Sequence, residues 1–161
     1  MVVSFIYMTV AVLYHPWIIY EVEKDPDQGL SREGLAETQA MATLAAENNV
    51  QVRRIMHSGK KRALQTAEIF VKTLEPEVGM SKGAGLAPLD DVATFAATLG
   101  NEENILIVGH LPFLERLVSY LVAGAPERGV IKFQNSAIIC LDTEDTAGSW
   151  FIRWALFPRF D

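Results

Sequence analysis

Short runs of consecutive apolar residues alternate with longer segments in which apolar positions recur every three or four residues. That alternation predicts buried strands interleaved with amphipathic helices. Three strands are expected at Val10-Ala11-Val12-Leu13-Tyr14, Val52-Arg53-Arg54-Ile55-Met56 and Ile105-Leu106-Ile107-Val108. Ser31 suits an N-cap for a helix to about Glu47, with Leu35, Thr38, Ala42 and Ala45 on its inner face and Asn48-Asn49 ending it. A second helix fits Lys60 to about Leu74, with Leu64, Ala67, Ile69 and Val71 in register, and a third fits Leu89 to Leu99, closed by Gly100. A fourth opens at Pro112, which is tolerated in a first turn, and runs to about Val122. Ser136–Leu141 and Trp150–Leu156 flank the turn-rich stretch Asp142–Ser149 and form a hairpin. The order β-α-β-α-loop-α-β-α-β-β predicts an α/β fold: a single-domain three-layer sandwich, with a mostly parallel sheet, helices on both faces and an antiparallel C-terminal hairpin at one edge.

The 161 residues, 50% of them hydrophobic, suit one domain with a full core, and no stretch has the composition of a linker. The strand needed first begins near Met8, which would leave Met1–Tyr7 as a short N-terminal extension. The apolar start lacks a basic n-region and a small-residue cleavage site and is too short to span a bilayer, so no membrane partner and a cytoplasmic location are expected. A formal net charge of -6 argues against an extended nucleic-acid footprint while leaving room for a local anion pocket. The single cysteine, Cys140, lies in an apolar run and is expected in the core.

Polar residues collect where the apolar runs end. His15 follows the first, Ser58 and Arg62 follow the second, and Gly109-His110-Leu111-Pro112 closes the third. Strand carboxyl ends are where open α/β sheets bind ligands, so one shared site is expected. Gly79, Gly83 and Gly85 have no Gly-Lys-Ser/Thr after them and read as a flexible loop, and no Gly-x-Ser-x-Gly elbow is present. The three histidines are too scattered for a zinc motif, so neither a metal nor another cofactor is expected. Two histidines with an arginine suit phosphoryl transfer. A neutral imidazole can attack phosphorus, and a guanidinium fork matches phosphoryl oxygens.

Five pieces in order carry a family resemblance: His15 after the first strand, Leu30-Ser31-x-x-Gly34, Ser58-x-x-x-Arg62-Ala63-x-Gln65-Thr66-Ala67, Gly109-His110-Leu111-Pro112, and Asn135-Ser136-Ala137-Ile138. Apart from its first few residues, the chain resembles the SixA-type phosphohistidine phosphatases of the histidine phosphatase (phosphoglycerate mutase-like) superfamily. The resemblance implies a metal-independent phosphatase in which His15 becomes phosphorylated, Arg62 binds the phosphoryl oxygens and His110 supports the transition state. Ser58, Tyr14, Trp17 and Leu111 are the expected further substrate contacts.

The family's first motif has arginine before the nucleophile and a small residue after it, whereas this chain has Tyr14 and Pro16, so the motif is Tyr-His-Pro. Losing such a charged donor costs about 10²–10³ in rate. Lys60, Lys61 or Arg32 is a candidate to replace it, and His57 is a candidate for the rim. Asp90 and Asp91 stand where larger relatives carry a general acid, though helix capping explains them equally. The stretch from Leu74 to Gly100 is short beside the lids of sugar-phosphate relatives, which implies an open site. The expected partner is a phosphorylated protein such as a phosphotransfer domain, or else a small phosphate ester. A catalytically degenerate member that binds a phosphorylated ligand or a protein is the alternative. The sequence does not fix the oligomeric state.

Overall fold

The computed structural model describes residues 5–10, 28–99, 104–143 and 150–158. Within them ten elements follow in chain order: β1 Phe5–Val10, α1 Arg32–Glu47, β2 Arg54–His57, α2 Lys61–Leu74, β3 Met80–Lys82, α3 Val92–Leu99, β4 Ile105–Gly109, α4 Phe113–Ala123, β5 Ile138–Thr143 and β6 Trp150–Leu156. One sheet of order β3-β2-β4-β1-β5-β6 holds all six strands. The first four pair in parallel, and β5 and β6 complete the sheet in antiparallel fashion. This is the expected α/β architecture, with the hairpin at one edge.

Strand side chains alternate between two cores, as the pleat requires. Ile105, Ile107, Ile139 and Leu141 pack on one face with Phe95, Phe113 and Leu117 of α3 and α4. Leu106, Val108, Ile138 and Cys140 pack on the other with Met41, Ala45, Ala67 and Phe70 of α1 and α2. β4 lies between β1 and β2, and all five of its residues are buried, which is why its sequence is continuously apolar. The rings of Phe95 and Phe113 meet edge to face at 5.5 Å, a geometry worth about 1 kcal/mol beyond burial.

Three expectations change. The first strand takes in Phe5–Val10, so Phe5, Ile6 and Tyr7 belong to the sheet instead of an extension, while residues 11–14 of the expected strand lie outside the described residues. Pairing with β4 and β5 places this early stretch in the sheet. The Gly79–Gly85 stretch contains β3, whose Met80, Ser81 and Lys82 pair with Ile55, Met56 and His57; three exposed residues carry no alternation to detect. In α2 the buried face is Arg62, Ala63, Thr66, Ala67 and Phe70. In α1 Leu35 is exposed while Gly34 and Met41 are buried. Gly100, the expected stop of α3, lies outside the described residues.

Candidate phosphoryl site at the carboxyl end of the sheet

Parallel pairing brings Val10, His57, Lys82 and Gly109 to one end of the sheet. His110 follows Gly109 directly, and its carbonyl accepts from Leu114 N–H at 3.0 Å in the first turn of α4. A Cβ on Gly109 would stand 3.1 Å from the Leu114 side chain, so glycine lets helix and strand meet closely enough to hold His110 in place. Ser58 continues the β2–β4 ladder through its N–H to Val108 O at 3.2 Å. Arg62 lies in the first turn of α2, which Lys60 opens without a side-chain cap.

These elements bring three of the sequence candidates together. His110 Nε2 is 2.6 Å from Ser58 Oγ, and Arg62 Nη2 is 3.4 Å from His110 Nδ1. Since a guanidinium only donates, Nδ1 is the accepting nitrogen and Nε2–H donates to Ser58. Lys60 N–H lies 3.4 Å from the same Oγ. The serine's own hydroxyl hydrogen is therefore left to donate to a ligand oxygen. His110 and Arg62 are 2% and 4% exposed. Burial, with Arg62 adding to it, pushes His110 down to about 4, so at neutral pH the imidazole is uncharged. Burial also lowers Arg62, but a guanidinium keeps its charge. Among the described residues the cluster thus holds one buried cation and not the two that a protonated His110 would give.

The other candidates fall as follows. Tyr14, His15, Pro16 and Trp17 lie outside the described residues. Within the described residues, Val10 of β1 stands opposite Gly109. Leu111 is half-buried and packs on the α3–α4 core. His57 is buried, and its Nδ1 accepts from Gly59 N–H at 3.2 Å. It is held below its ordinary pKa by burial first and then by Lys82, against an opposing pull from Glu68. Lys61 and Arg32 are exposed, and Lys60 is half-buried at the turn. Asp91 accepts from Thr94 N–H at 2.7 Å and so caps α3, whereas Asp90 accepts from Ala87 N–H at 2.8 Å in the turn that precedes the helix.

Other motif residues brace the site. Gln65 Oε1 accepts from Leu30 N–H at 2.7 Å, tying the approach to α1 against α2, and Ser31 caps α1 through Gly34 N–H. Ser136 adopts φ 59° just ahead of β5, and its buried hydroxyl lies 3.2 Å from Thr38 Oγ1. Lys82 was not singled out from sequence; the only signal was a lone lysine among glycines. Among the described residues no three His, Cys, Asp or Glu side chains are grouped to hold a metal, and no helix is long and apolar enough to cross a membrane.

A six-stranded α/β sheet of this order, parallel but for its C-terminal strand pair, has the phosphoglycerate mutase-like fold. The fold superposes with TM-score 0.66 on a Plasmodium falciparum phosphoglycerate mutase (17% identity; 96% of this chain, 91% of that one) and with 0.71 on a mycobacterial glucosyl-3-phosphoglycerate phosphatase (14%; 94% and 97%). Within that class the chain is homologous to the SixA phosphohistidine phosphatases. It is 29% identical over 157 residues to the Escherichia coli K12 phosphohistidine phosphatase SixA, covering 94% of each chain. A protein histidine phosphatase SixA structure complexed with tungstate superposes with TM-score 0.78 at 24% identity, covering 96% of this chain and 97% of that one. No protein-family model matches the chain.

Proposed function

We propose that this chain is a metal-independent phosphatase that removes the phosphoryl group from phosphohistidine on a protein. The observation that supports this most strongly is the buried Ser58–His110–Arg62 cluster at the carboxyl end of the sheet, in a chain homologous along its length to a phosphohistidine phosphatase. Arg62 offers a charged fork to the phosphoryl oxygens, Ser58 a hydroxyl, and His110 an imidazole that the arriving dianion makes easier to protonate. His15 supplies the nucleophile. Its neutral nitrogen attacks phosphorus, the phosphorus–nitrogen bond to the substrate imidazole breaks, and that imidazole leaves neutral by taking a proton from solvent while the His15 ring gives one up to solvent. Water then attacks phospho-His15, releasing inorganic phosphate and restoring the free imidazole.

The alternative is a module that binds a phosphorylated ligand without turning it over. It is favoured by the Tyr-His-Pro motif, in which Tyr14 supplies no fixed charge where the resembled family has arginine.

A single-turnover reaction with a phosphoramidate donor, followed by intact mass, separates the two. The phosphatase labels on wild type with acid-labile phosphate and not on His15→Ala. A protein that never labels or turns over, yet binds vanadate through Arg62, is the binding module.

A further inference from the structure

The turn after β2 carries Lys60, Lys61 and Arg62, and no acidic residue occurs from Asn48 to Ala67 or from Val78 to Leu89. In a chain of net charge -6, these two described segments are locally cationic. Lys82 joins the turn from the next strand. It ends β3 in register with His57, and Gly83 N–H donates to His57 O at 2.9 Å.

The Lys82 side chain then crosses the β2 turn. A Cβ built on Gly59 would be 2.4 Å from Lys82 Cε and 3.1 Å from Nζ, and Gly59 has φ 87°. Glycine therefore serves twice here, adopting the left-handed turn and clearing the space in which the lysine lies. The ammonium is seated over the residue that follows Ser58, whose hydroxyl binds His110. Lys82 is exposed and forms no ion pair among the described residues. Lys60 follows Gly59 on the same turn, and exposed Glu68 of α2 acts on His57 with the opposite sign to Lys82.

We propose that Lys82 is a second anion-binding point beside the phosphoryl site, and that it pairs with a carboxylate on an acidic protein surface flanking the phosphorylated residue. This rests on the phosphoryl site proposed above. All three residues of β3 are exposed, so this edge can receive a macromolecule rather than only a small ester. A carboxylate is the group that a point charge outside the buried pocket attracts without competing for Arg62.

Two peptides test it, each bearing a hydrolysis-stable phosphonotriazole mimic of phosphohistidine, one flanked by Asp and Glu and the other by Ser and Ala. Their dissociation constants are read by fluorescence anisotropy, independently of turnover. At low salt wild type binds the acidic peptide about five-fold more tightly, and the preference shrinks as salt is added. Lys82→Gln brings the two affinities together and Lys82→Arg keeps them apart. A preference that survives Lys82→Gln, or equal binding by wild type, overturns the role of Lys82 while leaving the phosphoryl site intact. Binding of neither peptide overturns both.

Discussion

His110 should remain neutral to far lower pH than an ordinary histidine, and protonating it should destabilise the protein. Its folded-state pKa, about 4, lies below the 6.5 of an exposed imidazole because burial, and secondarily Arg62, penalise the charged form. The unfolded chain therefore binds the proton first. Stability from this group is complete above pH 6.5 and is lost as pH falls through 6.5 towards 4. The full interval is worth about 3 kcal/mol, of which about 2 kcal/mol has gone by pH 5. At 2% exposure solvent screens little of this. Against a domain stability of about 5–15 kcal/mol, that is a large share.

Urea unfolding of wild type and His110→Gln between pH 4 and 7.5 isolates the effect, because carboxylates and His57 titrate in both proteins. The variant should lose about 3 kcal/mol less across this range. Nitrogen-detected NMR of the folded protein should show the Nε2–H tautomer persisting to about pH 4.5, and vanadate should raise that midpoint by placing a negative charge beside the ring. A histidine that titrates near 6.5 in the folded state, or parallel stability curves for the two proteins, would refute the argument that burial holds His110 neutral.

Ser58→Ala leaves the buried Nε2–H of His110 without its acceptor, and the expected loss is about 1–3 kcal/mol in urea unfolding. A shift of His110 towards the other tautomer should accompany it, whereas Ser58→Thr should retain both signals. Gln65→Leu removes the acceptor of Leu30 N–H at a cost of about 1 kcal/mol, with hydrogen exchange at the Leu30 amide accelerating far more than at core amides of α2.

The parts of the fold legible in sequence are those whose local signals are unambiguous. Ser31 caps α1 as its residue type demands, β4 is apolar throughout because both of its faces are covered, and the hairpin is punctuated by its turn. The early part of β1, Phe5 to Thr9, was missed because the apolar run continues to Tyr14 without a break, and only pairing with β4 and β5 shows that the run enters the sheet so early. β3 was missed because its three exposed residues are held by hydrogen bonds to β2 and not by a buried face. Arg62, Ser58 and His110 were legible as a constellation because strand ends converge whatever lies between them. The neutrality of His110 was not, because it depends on burial and on the distance to Arg62. Lys82 was invisible for a similar reason: its place over Gly59 is a relation between two strands 23 positions apart.

The charge distribution explains why the cluster fits an oxyanion. Two buried cations a few ångströms apart would repel strongly in a medium of low dielectric, so the empty site keeps Arg62 charged and His110 neutral. A phosphoryl dianion reverses that balance. It compensates Arg62 and favours a proton on His110, and the imidazole gains its charge only while there is negative charge to meet it. Ser58 holds the ring in one orientation in both states, since Nε2–H donates to its oxygen before and after Nδ1 is protonated. Lys61 and Lys82 differ in being exposed, outside the buried cluster. On the function proposed above, buried Arg62 and His110 match the transferring group, and exposed Lys82 the surface that delivers it.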